Sequence, residues 1–131
     1  MIRTVILDSG ALIAAEKGEM LLTALLKAVR ASEARVLIPS AVIAETWRGT
    51  APHANISRLV NAAHGFPPLD FEAGKRIGTL LGRVSRPSVV DASVADAALR
   101  HAPSLIVTSD PKDLRELLNR AAGADVRIYS L

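Results

Sequence analysis

Four acidic residues of this chain lie within or beside apolar segments, where a charge is costly unless it is solvated, paired or bound to a cation. In chain order they are Asp8, Glu45, Asp91 and Asp110. Carboxylates that converge on one place repel one another, and hard divalent cations such as Mg²⁺ or Mn²⁺ relieve that repulsion. Such a cluster would support metal-assisted hydrolysis, because a bound metal supplies hydroxide near neutral pH.

Each acid also has a structural interpretation. Asp8 can cap a helix that follows it, and Glu45 can be a solvated helix residue, because Glu is a good helix former. Asp91 can be a first-turn acid favoured by the helix dipole, with Ser88 as the cap. Asp110 precedes a proline and so has the pattern of a cap before Pro at the first helical position. No single acid distinguishes a structural role from metal binding, and the metal hypothesis depends on whether the fold brings the four acids together.

The elements that must position these acids can be predicted from hydrophobic spacing. Short apolar or β-branched runs predict strands at 3–7, 35–38, 104–108 and 126–129, and 66–69 is predicted to be a turn or an edge strand because of its prolines. Helical spacing and capping residues predict helices at 11–16, 19–31, 40–49, 54–64, 71–84, 89–101 and 110–122.

This alternation predicts a three-layer α/β/α domain with a central, mainly parallel sheet of about four to five strands. Ligands of such sheets bind outside the carboxyl ends of the strands. Asp8 and Asp110 each come just after a predicted strand, within two residues of its end. We therefore expect them to lie at the same edge of the sheet.

The bulk composition sets limits on the function. The 131 residues fit a single domain spanning 1–131, and the net charge of +3 permits a polyanionic partner such as RNA without requiring one. The absence of cysteine excludes disulfides and thiolate metal sites and suits the cytoplasm. No apolar run approaches the ~20 residues of a membrane span, so we expect no membrane association, and the N-terminus does not resemble a signal peptide.

The segments that contain the four acids resemble a known family. These segments are Leu-Asp-Ser-Gly-Ala-Leu-Ile-Ala, then Pro-Ser-Ala-Val-Ile-Ala-Glu, then Val-Asp-Ala-Ser-Val-Ala, then Val-Thr-Ser-Asp-Pro-Lys-Asp-Leu. In this order and spacing they resemble PIN-domain ribonucleases, and most of all the VapC-type toxins of bacterial toxin–antitoxin pairs. The resemblance covers essentially the whole chain.

The resemblance implies a PIN-like fold and a metal-dependent endoribonuclease that binds Mg²⁺ or Mn²⁺ at an acidic cluster. The products would carry 5′-phosphate and 3′-hydroxyl ends. It also implies homodimers and a VapB-like antitoxin that blocks the site.

Residue by residue, the resemblance assigns catalytic roles to Asp8, Glu45, Asp91 and Asp110. The metal ligands would be Asp8, Asp91 and Asp110, whereas Glu45 would bind the metal or orient the attacking water. Many family members carry Asn where Asp110 stands and place the last acid three or four residues later. Asp113 is therefore a candidate ligand beside Asp110 or in its place.

Two hydroxyl residues match supporting positions of the family. Ser9 and Thr108 are expected to hydrogen-bond a ligand carboxylate or a metal-bound water and so to orient it. The alternative is plain helix or strand capping.

Basic residues are needed to hold an RNA substrate. Arg48 lies three positions beyond Glu45, on the same face of the predicted helix, and is expected to reach a phosphate. Further basic candidates are Lys75, Arg76, Arg83, Arg86 and Lys112.

Other polar residues have more ordinary interpretations. Asp96 lies about 140° around the helix from Asp91, so we interpret it as a solvated or pairing residue. Trp47 could stack a base, but packing in the core or at an antitoxin groove is the preferred interpretation. His53, His64 and His101 are interpreted as surface or packing residues.

Three rival functions differ in their sequence requirements. A PIN-like module that binds RNA or protein without cutting would be favoured by a missing acid, and none is missing. A phosphoacceptor signalling domain expects paired acids near the first strand, and a haloacid-dehalogenase-type phosphatase expects Asp-x-Asp there. The stretch Asp8-Ser9-Gly10 fits neither.

Overall fold

The computed structural model of the protein describes residues 1–50, 54–119 and 123–131. The described strands are β1 (Thr4–Leu7), β2 (Arg35–Leu37), β3 (Ser104–Thr108) and β4 (Val126–Ser130). The described helices are α1 (Ser9–Glu16), α2 (Met20–Ala31), α3 (Ser40–Thr46), α4 (Ala54–Ala62), α5 (Phe71–Leu81), α6 (Val89–Arg100) and α7 (Pro111–Asn119).

The four strands form one parallel sheet in the order β2-β1-β3-β4. This confirms the predicted α/β class and the mainly parallel sheet of about four to five strands. The register pairs Leu7 of β1 with Val107 of β3, so the two central strands end at nearly the same level. The Asp8 amide extends this ladder by donating to the Val107 carbonyl at 3.0 Å. Asp8 and the loop after β3 consequently lie at one edge of the sheet, as predicted.

Helices pack on both sides of this sheet, in line with the right-handed crossovers that parallel strands require. Helix α1 contacts α2 and α4, whereas α6 contacts α5 and α7, and both α1 and α6 contact the central strands. Every residue of α6 from Ala92 to Ala98 is buried. Small alanine side chains let this helix lie close to β1 and β3, which fixes the position of Asp91 at its start.

The segment at 64–67 lies along the outer edge of β2. The amides of His64, Ile38 and Ser40 donate across this edge to Val36, Gly65 and Pro67, respectively. The segment forms only an isolated parallel bridge between Leu37 and Gly65, because proline has no N–H to continue a ladder. Residues 66–69 themselves form neither a turn nor a strand, so the prediction of a turn or an edge strand is wrong for them.

Most predicted elements are present with small shifts at their ends. Helix α1 begins at Ser9, two residues earlier than predicted, because the Asp8 side chain caps it. The last part of the predicted helix 110–122 lies outside the described residues. Among the residues that the structure describes, no helix has the length and apolar character needed to span a membrane.

Candidate active site

The Asp8 side chain is the most buried carboxylate of the four acidic motifs. It is only 6% exposed and directly follows the fully buried strand β1. Its Oδ1 accepts a hydrogen bond from the Ser9 amide at 2.7 Å, and its Oδ2 accepts one from the Thr108 hydroxyl at 2.7 Å. Asp8 therefore caps α1, as its structural interpretation predicted, and is also held from β3. The two bonds leave the carboxylate little freedom to rotate.

The surroundings of Asp8 oppose its ionisation. Burial raises the pKa of the Asp8 carboxyl above its ordinary value, and the hydrogen bonds from Thr108 and Ser9 act in the opposite direction. The negative charges of Asp91 and Glu45 raise this pKa further. The fold has thus brought acids from three separate sequence motifs within electrostatic range of one another.

Asp91 is held at the start of α6. Its backbone amide donates to the Ser88 hydroxyl at 3.1 Å, and its Oδ2 accepts from the Ser88 amide and hydroxyl, both at 3.1 Å. This reciprocal arrangement is a capping box. The structural interpretation of Asp91, with Ser88 as cap, is correct, and the same contacts place its carboxylate where it acts on Asp8.

Glu45 lies near the end of α3, not in the middle of a longer helix. The predicted helix 40–49 stops at Thr46, because Trp47 adopts an extended backbone with ψ of 129°. Arg48 is consequently not on the helix face of Glu45, and that part of the prediction is wrong. Its guanidinium folds back instead onto the carbonyls of Ala44, Glu45 and Trp47 at 2.9–3.2 Å. Unpaired carbonyls at a helix end attract such cations, so Arg48 caps the end of α3.

Asp110 is connected to Asp8 through Thr108. The Asp110 amide donates to Thr108 Oγ1 at 3.1 Å, while the same hydroxyl donates to Asp8. The Asp110 side chain is exposed, and Asp113 is half-buried in the first turn of α7. The buried Thr108 hydroxyl thereby fixes the spacing between the ends of β1 and β3.

The oxygen donors near Asp8 fit a hard divalent cation. Ser9 Oγ is buried and has no hydrogen-bond partner within the described structure, and burial, with the charges of Asp91 and Glu45, raises the pKa of the Asp8 carboxyl beside it. Among the described residues, no three His, Cys, Asp or Glu side chains are placed to hold a metal ion together. Mg²⁺ nevertheless needs only one or two protein carboxylates, because it retains several waters.

Three further charged residues, Asp96, Arg76 and Lys75, form ion pairs within the fold. Asp96 is buried and receives hydrogen bonds from Arg76 at 3.1–3.3 Å, which confirms it as a pairing residue. Arg76 is therefore engaged within the fold. The exposed Lys75 pairs with Glu72 at 3.2 Å.

The predictions for Trp47 and for the histidines have different outcomes. Trp47 is 41% exposed, so packing in the core is wrong for this residue. Nδ1 of the exposed His64 accepts a hydrogen bond from the Val36 amide at 2.9 Å. Burial lowers the pKa of the half-buried His101. Neither contradicts a surface or packing role, and His53 lies outside the described residues.

One residue of this region was not recognised from the sequence. A Cβ added at Gly10 would lie 2.7 Å from the Ser109 backbone nitrogen. The only sequence signal was the Asp-Ser-Gly stretch itself, and the neighbour that requires glycine is almost one hundred residues away.

Comparisons with known proteins agree with this architecture. The sequence model of the PIN domain matches residues 5–118, whereas no curated protein matches the chain. The crystal structure of VapBC2 from Rickettsia felis, bound to a DNA fragment from their promoter, is similar at a TM-score of 0.72 with 13% identity, covering 98% of each chain. The structure of FitAB bound to an IR36 DNA fragment is similar at a TM-score of 0.66 with 15% identity, covering 96% of this chain and 94% of that one. At such identities the likeness concerns the fold.

Proposed function

Because the chain belongs to the PIN domain family, we propose that it is a metal-dependent endoribonuclease, the VapC-type toxin of a toxin–antitoxin pair. The observation that supports this most is the buried Asp8 carboxylate, whose ionisation is opposed first by burial and further by the charges of Asp91 and Glu45. A fold gains nothing in stability from such mutual repulsion. A bound cation would neutralise these acids and so offset their repulsion.

The ligands of Mg²⁺ or Mn²⁺ are proposed to come from Asp8, Asp91 and Asp110, with Asp113 beside Asp110 or in its place. Because no three of the described acids lie close enough to hold an ion together, one or two of them would bind it directly and the others through its waters. When bound, the metal lowers the pKa of a coordinated water and stabilises negative charge on the phosphate. Ser9 and Thr108 hold the Asp8 carboxylate in one orientation through the Ser9 amide and the Thr108 hydroxyl. The unpartnered Ser9 hydroxyl is available to a ligand or a water. Glu45 is exposed and is proposed to bind the metal or to orient the attacking water.

The function is tested by incubating a mixed structured RNA with purified, antitoxin-free protein in Mg²⁺, Mn²⁺ or EDTA. We expect cleavage only with metal, yielding 5′-phosphate ends. Asp91→Asn should lower the rate by about 100-fold or more, comparable to removing one electrostatic stabiliser, because the amide keeps an acceptor for Ser88 but loses the charge.

The matched control is Glu72→Gln, which removes the same charge from an exposed position on α5. It should cut at the wild-type rate. Cleavage that survives EDTA, or that is equal in Asp91→Asn and wild type, would contradict a metal-dependent nuclease. A folded protein that binds Mn²⁺ without cutting any RNA would favour the non-catalytic binding module.

The contribution of Arg48 to RNA binding is a separate prediction. Its guanidinium must leave the three carbonyls at the end of α3 to reach a phosphate. If it does, Arg48→Ala should weaken RNA binding and reduce the salt dependence by about one counterion, whereas Arg48→Lys should retain most of the affinity. Filter binding across a salt series, in an Asp91→Asn background with EDTA present to prevent cleavage, measures both. Unchanged affinity in Arg48→Ala would restrict this side chain to capping α3.

The proposed protein partner is a VapB-like antitoxin. Helices α2 and α4 flank a groove of about 230 Å³ whose apolar residues include Leu22, Leu26 and Leu59. The groove also contains Arg30 and Arg58, both exposed. We propose that an amphipathic antitoxin helix with acidic flanks binds there. The homodimer and the cytoplasmic location of an enzyme that cleaves cellular RNA belong to the same proposal.

A further inference from the structure

The start of α1 and the loop after β3 approach each other unusually closely at Gly10. A Cβ at this position would lie 2.7 Å from the backbone nitrogen of Ser109 and 2.8 Å from its Cβ, and closer still to its Oγ. Rotating the Ser109 side chain would relieve only the Oγ contact. The remaining overlaps are with atoms whose positions are fixed by the main chain, so any side chain at residue 10 must displace one of the two segments.

The α1 side of this contact is held firmly. Ala11 and Leu12 are fully buried, and their amides bond to the Asp8 carbonyl at 3.0 and 3.4 Å. The other side is less constrained, because Ser109 and Asp110 are exposed. A larger residue at position 10 would therefore move the Ser109–Asp110 loop and leave the start of α1 in place.

Movement of that loop would act directly on the acids. Ser109 lies between Thr108, whose hydroxyl donates to Asp8, and Asp110, whose amide donates to the same hydroxyl. Displacing Ser109 pulls on both hydrogen bonds and increases the separation of Asp110 from Asp8. We infer that Gly10 is a positioning residue that sets the spacing of these two carboxylates, an inference that rests on the proposed nuclease function.

The test compares Gly10→Ala with Gly78→Ala, since a Cβ at Gly78 in α5 meets nothing within 4 Å. Single-turnover cleavage at saturating RNA should be slowed by about 10- to 100-fold in Gly10→Ala, because small misplacements of reacting groups have effects of this size. RNA affinity in EDTA should stay unchanged. Gly78→Ala should match the wild type in both measurements.

A second readout does not depend on activity. In Gly10→Ala the amide of Asp110 should exchange with solvent faster and shift in NMR spectra, because its bond to Thr108 is weakened. Wild-type exchange at Asp110 would overturn the inference, whatever the cleavage rate. If the wild-type protein does not cleave RNA, the proposed function fails while this amide measurement still decides the role of Gly10.

A compensating variant covers the case in which Gly10→Ala fails to fold. Adding Ser109→Gly removes the Cβ and Oγ that crowd the new methyl group. The double variant should recover folding and part of the cleavage rate. The backbone nitrogen of residue 109 remains 2.7 Å from the new Cβ, so the Asp110 amide should still exchange faster in the double variant than in the wild type. A double variant that cleaves slowly with wild-type exchange at Asp110 would overturn the inference.

Discussion

Asp8→Asn should abolish RNA cleavage and leave the protein at least as stable as the wild type at neutral pH. The carboxylate supplies the charge for the proposed metal site, so its loss removes the reaction. Its ionised form is disfavoured in the native state by burial and by the charges of Asp91 and Glu45. An amide carries no charge to desolvate, and its two polar atoms can still bond to the Ser9 amide and to Thr108 Oγ1.

The raised pKa of Asp8 also determines how the stability difference between Asp8→Asn and the wild type changes with pH. A carboxyl group whose pKa is raised in the native state binds its proton more tightly when folded than when unfolded. Its contribution to stability is therefore fully present below the unfolded pKa and is lost as the pH rises through the raised native pKa. Asp8→Asn lacks this proton, so its free energy of unfolding relative to wild type should increase between acidic and neutral pH.

Urea denaturation of both proteins at several pH values measures this difference, and the RNA assay with Mn²⁺ measures activity. Glu72→Gln, an exposed change of the same chemistry, should show neither effect. Two results would contradict the assignment of Asp8: full activity in Asp8→Asn, or a variant whose stability deficit grows towards neutral pH.

The parts of the fold set by local sequence were predictable. The β-branched run at 104–108 is the strand β3 without change of bounds, and the apolar run ending at Leu7 is β1. Once these two strands are parallel neighbours, the placement of Asp8 beside the loop after β3 follows from topology alone. Asp91 likewise begins a buried helix because Ser88 caps it.

The parts that depend on distant contacts were not predictable from local sequence patterns. The hydrogen bond from the Thr108 hydroxyl to Asp8, across one hundred positions of sequence, was expected only from the family resemblance, and the requirement for Gly10 by the main chain of Ser109 was not expected at all. The end of α3 was misplaced because residues up to Gly49 are compatible with a helix, whereas the Arg48 guanidinium bonds to the carbonyls of its last turn. The spacing of hydrophobic residues does not predict such hydrogen bonds.

Thr108→Val should destabilise the protein by about 1–3 kcal/mol at neutral pH, the usual cost of leaving a buried polar group without its partner. Valine has nearly the shape of threonine and suits a strand, so the change removes little except the hydroxyl. Asp8 Oδ2 then loses its 2.7 Å donor, and the Asp110 amide loses its acceptor. Thr108 is fully buried, which limits replacement of these bonds by water.

The same variant should shift the acidic limb of the pH–rate profile to higher pH. The Thr108 hydrogen bond lowers the pKa of Asp8, so its removal raises that pKa further and protonates the proposed ligand over a wider pH range. For the same reason the stability deficit should shrink as the pH falls. Thr108→Ser restores the hydroxyl and should return both the pH limb and most of the stability. A destabilised Thr108→Val with a wild-type pH–rate profile would mean that Thr108 serves the fold alone and that Asp8 does not control the pH dependence of the reaction.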